Sequence, residues 1–395
     1  MAQVVPLVGS LAIARIFVPA EFGTFMAWLG ATSLAAVFST ARFEMALALE
    51  PDGLPRAKAA AATALTTVLV IGVLAIFGLL FAVVFPIYRE RFGNGLVGLF
   101  IPTVGASAGA QIWQAWAAAE GRFRALSGMR IVQACAVTGL QLLGGLLYPS
   151  AVTLALAQFL GVMAGVAFIA RYLPLPSLTV DRAELQKFWS RYRRFPIYAL
   201  PADTVNTAAS QLPLAILATR FGPDVAGFVA LAFRTLGAPI SLMGSAVLDV
   251  FKRRASESWR LTGSCRGTYI ETFMVLAAGS ALATLVFWLM GEQLFTIAFG
   301  EKWRPAGAAA VILLPLFALR FVASPLSYTL YIAEKQNLDL IWQICLFAVT
   351  LATLVLFPGY EATLSAYALG YGILYVIYLG LTYWLSGGHQ ADTGV

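Results

Sequence analysis

Residues 59–86 read Ala-Ala-Ala-Ala-Thr-Ala-Leu-Thr-Thr-Val-Leu-Val-Ile-Gly-Val-Leu-Ala-Ile-Phe-Gly-Leu-Leu-Phe-Ala-Val-Val-Phe-Pro, with no charged side chain. A helix needs about 20 predominantly apolar residues to cross a bilayer, so this run can span one. On either side of it lie eleven more candidates, near 3–18, 23–40, 95–119, 127–148, 150–170, 195–219, 225–249, 269–290, 306–333, 336–357 and 361–386. The pattern predicts an all-α polytopic membrane protein of about 12 transmembrane helices. Composition agrees: the 395 residues are 60% apolar and 11% charged, where soluble domains average roughly 45–50% and 25%. An ordinary soluble enzyme, a disordered chain and a fibrous one are excluded. Met1 falls almost inside the first span, so that helix is expected to lack part of its length. The start carries neither a charged region nor a small-residue cleavage site, and no signal peptide is expected.

Charge gives the orientation. There are 26 Lys and Arg against 19 Asp and Glu, a net +7. In a soluble protein this balance would suggest nucleic acid; here it follows from basic cytoplasmic loops. Loops after even-numbered spans hold 18 of the cations, including six in 171–194 and five in 251–268; loops after odd-numbered spans hold 5. Both termini are therefore expected in the cytoplasm. The external loops, near 19–22, 87–94, 149, 220–224, 291–305 and 358–360, leave no room for an outer catalytic domain. Cys135, Cys265 and Cys345 provide no disulfide framework.

The chain also repeats itself. Residues 14–23 read Ala-Arg-Ile-Phe-Val-Pro-Ala-Glu-Phe-Gly, and 218–227 read Ala-Thr-Arg-Phe-Gly-Pro-Asp-Val-Ala-Gly. Phe17, Pro19 and Gly23 align with Phe221, Pro223 and Gly227 at one offset. Farther on, Ile131, Gln133 and Cys135 match Ile341, Gln343 and Cys345, and Ala119-Glu120 matches Ala333-Glu334. These agreements imply two six-helix lobes, 1–171 and 195–386, in a parallel internal repeat. Between them, Asp181 with Glu184 forms a capping-box start. Leu185, Phe188, Trp189 and Tyr192 then recur at helical spacing among cations. Residues 172–194 are expected to form an amphipathic linker helix on the cytoplasmic leaflet, and 387–395 a cytoplasmic tail.

Bond-making chemistry is poorly supplied. The single histidine, His389, lies in the tail, and no nucleophile elbow, phosphate loop, metal-ligand cluster or cofactor motif occurs. The informative residues are charges inside or at the ends of spans, where an ionised group costs at least about 2.5–3.5 kcal/mol at mid-membrane. Arg234, Arg320 and Asp203 lie deep; Arg15 and Arg220 sit near outer ends; Arg42 with Glu44, Asp249 and Glu271 near inner ends. Snorkelling into the interface accounts for end positions such as Arg220 and Asp249, and a structural ion pair is the plain reading of Arg320. Pro196, Pro201, Pro213, Gly237, Pro239, Pro315 and Pro325 interrupt the spans that carry Asp203, Arg234 and Arg320, as expected where helices must bend.

Residues 15–23 followed by Ala-Arg-Phe-Glu-Met-Ala (41–46) resemble the start of bacterial polysaccharide exporters. Residues 232–247, Phe-Gly-Glu-Lys-Trp-Arg-Pro-Ala-Gly (299–307), Leu-Arg-Phe-Val-Ala-Ser-Pro-Leu-Ser (319–327), Glu-Lys-Gln (334–336) and Trp-Gln-Ile (342–344) are similar to later segments of the same family. This is the O-antigen and capsule flippase branch of the multidrug/oligosaccharidyl-lipid/polysaccharide exporter superfamily. The resemblance implies two lobes around a V-shaped central cavity in the bacterial inner membrane. It implies movement of an undecaprenyl-diphosphate-linked oligosaccharide to the outer leaflet, with a polymerase and chain-length regulator as partners, and no nucleic acid. Arg15, Arg42 and Arg234 are its candidates for holding the diphosphate. Asp203, Arg320, Glu44 and Glu271 are cavity or coupling candidates. The rival of the same fold is a multidrug/cation antiporter, which Asp203 favours. An O-antigen polymerase or ligase needs a large external loop that this chain lacks, and a pure scaffold gives no reason for buried charge.

Overall fold

The computed structural model describes residues 4–84, 86–175 and 180–388. Met1, His389 and Val395, and with them both ends and most of the tail, lie outside the described residues. Among the described residues the chain is almost entirely helical, and the helices are α1 (Val4–Ile16), α2 (Pro19–Ser39), α3 (Leu54–Val84), α4 (Pro86–Ala119), α5 (Phe123–Leu147), α6 (Ala151–Tyr172), α7 (Arg182–Tyr192), α8 (Leu200–Phe221), α9 (Pro223–Thr262), α10 (Arg266–Phe299), α11 (Arg304–Leu326), α12 (Thr329–Ile332), α13 (Gln336–Leu356) and α14 (Tyr360–Ser386). Setting aside α7 and the single turn α12, twelve helices remain, one for each expected span. Nine of the described helices are long and apolar enough to cross a membrane. The other three, α1, α8 and α9, carry Arg15, Asp203 and Arg234.

Motif residues of the sequence turn out to shape helix joints. Pro19 and Pro223 each open a helix, where proline's missing N–H costs nothing. Phe17 is fully buried and occupies the notch left by Gly145, where a Cβ would stand 2.5 Å from its ring. The Glu21 carboxylate accepts a 2.6 Å hydrogen bond from the Ala151 N–H, at the positive end of α6. Gly161 and Gly165 on α6 admit α5 so closely that a Cβ at Gly161 would lie 2.6 Å from the Val137 nitrogen, the small-residue packing that membrane helices use. Gly300 turns at φ 103° to bring Trp303 into complete burial.

Two corrections concern the basic segments 251–268 and 172–194. Residues 251–268, read as a loop, are helical to Thr262 and again from Arg266. At about 1.5 Å per residue, the 40 residues of α9 run roughly 60 Å, twice the hydrocarbon thickness of about 30 Å. Lys, Arg, Glu and Ser in the extension have adequate helix propensity, and Phe251 and Ala255 anchor it on Tyr269, Leu276, Val322 and Leu326. The short joint is pinned by Cys265 N–H and Ser264 Oγ, both donating to the Ser386 carbonyl at 2.9 and 3.0 Å. The second correction is α7. Its capping box forms as expected, but its apolar residues Leu185, Phe188 and Tyr192 pack on Phe43, Leu47, Ala59 and Trp116 of the protein. An apolar stripe carries the same signature whether lipid or protein covers it. Pro196 lies in a π-helical turn (Phe195–Ala199) ahead of α8 and Pro201 in its first turn; Pro213, Pro239, Pro315 and Pro325 are internal to their helices.

The chain forms two compact units, Met1–Ala226 and Gly227–Val395. From sequence the second lobe begins at 195; by packing, α8 goes with the first unit because it lies along α2. In the second unit, α14 presents Tyr367, Tyr371, Tyr375 and Tyr378 as one buried stripe, and the Thr350 hydroxyl and Tyr371 Oη are 2.6 Å apart.

Candidate functional site

After α2 the backbone leaves the helix through Ala41 (φ 47°) and Arg42 (φ 62°). Neither is glycine, and a left-handed conformation costs such residues on the order of 1–3 kcal/mol each. Thr40 Oγ1 accepts from the Arg42 N–H at 3.3 Å. The following 3-10 turn, Phe43–Ala48, buries Phe43, Ala46 and Leu47 beneath α7, and Phe43 meets the Phe188 ring at 5.3 Å. Packing on both sides holds the strained bend, and the bend aims Arg42.

Arg42 Nη1 lies 3.1 Å from Glu44 Oε1, and Arg42 Nε lies 2.6 Å from Asp203 Oδ2. The Asp203 contact is an ion pair without hydrogen-bond alignment, so Arg42 Nε has no aligned acceptor, and Glu44 Oε2 is buried without a donor. Asp203 reaches this point from the first turn of α8, which runs on from the π-helical turn Phe195–Ala199. One guanidinium thus stands between two carboxylates, with one hydrogen-bonding atom left over on each side. An arginine fork offers five donors in a plane and suits bidentate capture of a phosphate. Here that fork is occupied by the protein's own acids.

A second network, centred on Glu50, braces the same turn. The buried Glu50 carboxylate accepts from Tyr192 Oη at 2.6 Å and pairs with Arg191 at 3.2 Å. Burial and the Glu50 charge push the Tyr192 phenol up to about 12. Arg56 donates to the Glu50 carbonyl at 3.0 Å and the Ala119 carbonyl at 2.9 Å, and pairs with Glu120 at 3.1 Å and with Asp52. Lys58 pairs with Glu184, whose carboxyl it holds below the usual range. Trp189 Nε1 donates to Thr66 Oγ1 at 2.9 Å. The linker helix is therefore fastened to the base of α3 and to the turn that carries Arg42.

The remaining candidates are dispersed. Arg15 is exposed in the last turn of α1. Arg234 is half-buried on α9 beside Phe233, whose ring stacks on Tyr367 at 6.3 Å. Arg220 lies over the Phe221 ring at 4.9 Å. Glu271 pairs at 3.4 Å with Arg254 on the exposed α9–α10 hairpin. Arg320 lines a polar cavity with Asp339. Asp339 and the four α14 tyrosines were missed from sequence, although the tyrosine spacing of four, four and three is a helical stripe visible in the chain. The three cysteines are free, and no His/Cys/Asp/Glu group among the described residues could hold a metal.

Solved structures share this architecture. The chain is similar to the lipid II flippase MurJ in its inward closed conformation, with TM-score 0.73, 11% identity, 98% of this chain and 88% of that one covered. It is similar to an inward-facing multidrug resistance MATE family transporter of the MOP superfamily (TM-score 0.68, 12% identity, 97% and 94% covered). It is also similar to a MOP superfamily transporter from Pyrococcus furiosus Vc1 with a binding pocket of reverse polarity (TM-score 0.51, 14% identity, 97% and 92% covered). These named neighbours are transporters and a flippase rather than enzymes. No curated protein matches in sequence. The fold defines an all-α multi-pass membrane protein of the twelve-helix, two-lobe architecture that these transporters share. The family model for polysaccharide biosynthesis proteins matches residues 12–308, and the chain belongs to that family.

Proposed function

We propose that this protein moves an undecaprenyl-diphosphate-linked oligosaccharide from the cytoplasmic to the outer leaflet of a bacterial inner membrane, by alternating access of lobes 1–171 and 195–386. The observation that carries the reading is Arg42, aimed by a strained turn and already clasped by Glu44 and Asp203, in a chain of the polysaccharide biosynthesis family. A diphosphate leaving water must be neutralised, since a bare charge in a low-dielectric cavity costs many kcal/mol. It displaces the two carboxylates from the Arg42 fork by offering a stronger acceptor, and charge-assisted hydrogen bonds replace the internal pairs. Arg42 meets the head group at the inner mouth, Arg234 at mid-depth and Arg15 near the outer mouth. Glu271 belongs to the surface hairpin and takes no part. The termini lie in the cytoplasm, and a polymerase with its chain-length regulator consumes the product outside.

The second reading is a cation antiporter of the same fold. It is favoured by the excess of carboxylate over arginine in the Arg42 cluster, which would attract a cation or a proton. The test is expression in cells that lack their own polysaccharide exporter but keep the glycan-assembling enzymes. The wild-type chain restores surface polymer, and Arg234→Ala at equal abundance does not. Failure of the wild-type chain to restore polymer, together with resistance to organic cations, would replace the first reading by the second.

A further inference from the structure

Within the second unit, α11, α12, α13 and α14 border an open cleft of about 270 Å³, with Arg320, Tyr331 and Gln343 on its exposed side. Its walls include Arg320, Asp339, Trp342, Gln343, Tyr375 and Tyr378. Asp339 accepts from Tyr378 Oη at 3.0 Å and from Gln343 Nε2 at 3.3 Å. Neither Arg320 nor Asp339 forms an ion pair among the described residues. An arginine and an aspartate thus border one cavity without neutralising each other. Trp342 fixes the aromatic wall, with ring centroids 4.3 Å from Tyr378 and 5.2 Å from Tyr375, and its Nε1 donates to the Leu374 carbonyl at 3.4 Å.

The lining selects the ligand by elimination. A metal cation is repelled by Arg320, which holds its charge at any physiological pH. A simple anion is repelled by Asp339. An acyl chain would cover the Arg320 guanidinium without offering it an acceptor. A polyhydroxylated ring satisfies every group: its hydroxyls donate to Asp339 and accept from Arg320 and from the Gln343 amide, while its C–H face lies on the aromatic wall. The cavity is slightly smaller than the roughly 300 Å³ at which small-ligand pockets begin, which suits a single ring.

We propose that this cavity binds one sugar ring of the transported glycan, gripped by Arg320, Asp339 and Gln343. The proposal rests on the polysaccharide-transport reading and adds a glycan site to the diphosphate site. Its test uses the full chain in detergent and free methyl glycosides of glucose, galactose, mannose, rhamnose and N-acetylglucosamine, read by saturation-transfer NMR. At least one glycoside binds saturably, and Asp339→Asn and Arg320→Gln each weaken it about ten-fold, the loss of one charge-assisted hydrogen bond. Arg320 has no ion pair to break, so Arg320→Gln leaves folding intact and carries the test if Asp339→Asn lowers the yield. Absence of saturable binding by every glycoside, or wild-type affinity in Arg320→Gln, overturns the proposal. Surface polymer lost in Arg234→Ala cells reports on transport itself, so the sugar site and the transport reading can fail separately.

Discussion

Arg42 in the first unit and Arg320 in the second are both arginines bordering polar interiors of apolar helices, yet their surroundings differ. Arg42 sits on a bend of two left-handed residues and is held by two carboxylates. Arg320 projects from α11 between Pro315 and Pro325 and shares a cavity with an aspartate it does not pair with. The first arrangement is a clasp that a stronger anion must open. The second is a ready-made gap between opposite charges, lined by aromatic rings. Under the two proposals above, the charged linkage of the substrate is the business of the first unit and a sugar ring that of the second.

The sharpest way to break this comparison is to truncate the clasp. Arg42→Ala should lower surface polymer more than ten-fold in exporter-deficient cells. It also strands Glu44, buried with one oxygen already unpartnered, which costs about 1–3 kcal/mol and appears as a lower Tm of the purified protein. Arg42→Lys keeps the charge but loses the fork, so polymer should fall only partly while Tm changes little. Equal loss in Arg42→Lys and Arg42→Ala would make the fork geometry essential; no loss in either would remove Arg42 from the site.

A smaller effect is expected at Asp203. Asp203→Asn preserves size and removes one of the two charges on Arg42. If Asp203 only closes the clasp, transport persists within about three-fold and diphosphate competes more readily for the freed fork. If transport also loses a dependence on the proton or sodium gradient, Asp203 is the coupling carboxylate of the antiporter reading. Quantified polymer with and without an uncoupler separates the two.

How much of this was legible beforehand follows from the physics of each feature. The twelve helices could be read because apolar length is a local property. The Arg42–Asp203 pair could not, because α8 meets α2 only through folding, and nothing in Ala41-Arg42 announces a left-handed backbone. Glu21 was visible as part of a motif, but its service as acceptor at the start of α6 was not, since Ala151 is distant in sequence. The α9–α10 extension was read as loop because charged residues suggest solvent, and solvent is equally compatible with a helix anchored by Phe251. Asp339 went unmarked, because a lone carboxylate in the first turn of α13 has no local signature. Arg320, Trp342 and Gln343 were each visible in the chain, and the tyrosine stripe could have tied them to one cavity.

The smallest expected effect concerns the strap that steadies the Arg42 turn. Tyr192→Phe deletes the hydrogen bond to buried Glu50 and should cost about 1 kcal/mol, with surface polymer nearly unchanged. The phenol is raised from an ordinary value near 10 to about 12. Stability gained from a raised pKa is fully present below the unfolded value and is lost as pH rises through the folded one. The Tm gap between wild type and Tyr192→Phe should therefore stay constant up to about pH 10 and shrink between pH 10 and about 12. A gap that widens over that interval would mean the phenolate, not the phenol, is the form the fold prefers.

The most direct measurement is translocation itself. The purified chain is placed in liposomes loaded on one leaflet with a polyprenyl-diphosphate-linked oligosaccharide, and the fraction reaching the other leaflet is followed by a membrane-impermeant lectin. Wild-type protein should expose the glycan well above protein-free liposomes, Arg42→Ala should not, and the polyprenyl lipid without its diphosphate should not compete. Equal exposure by wild type and Arg42→Ala, or competition by the uncharged lipid as strong as by the diphosphate, would contradict the claim that Arg42 hands a diphosphate across the membrane.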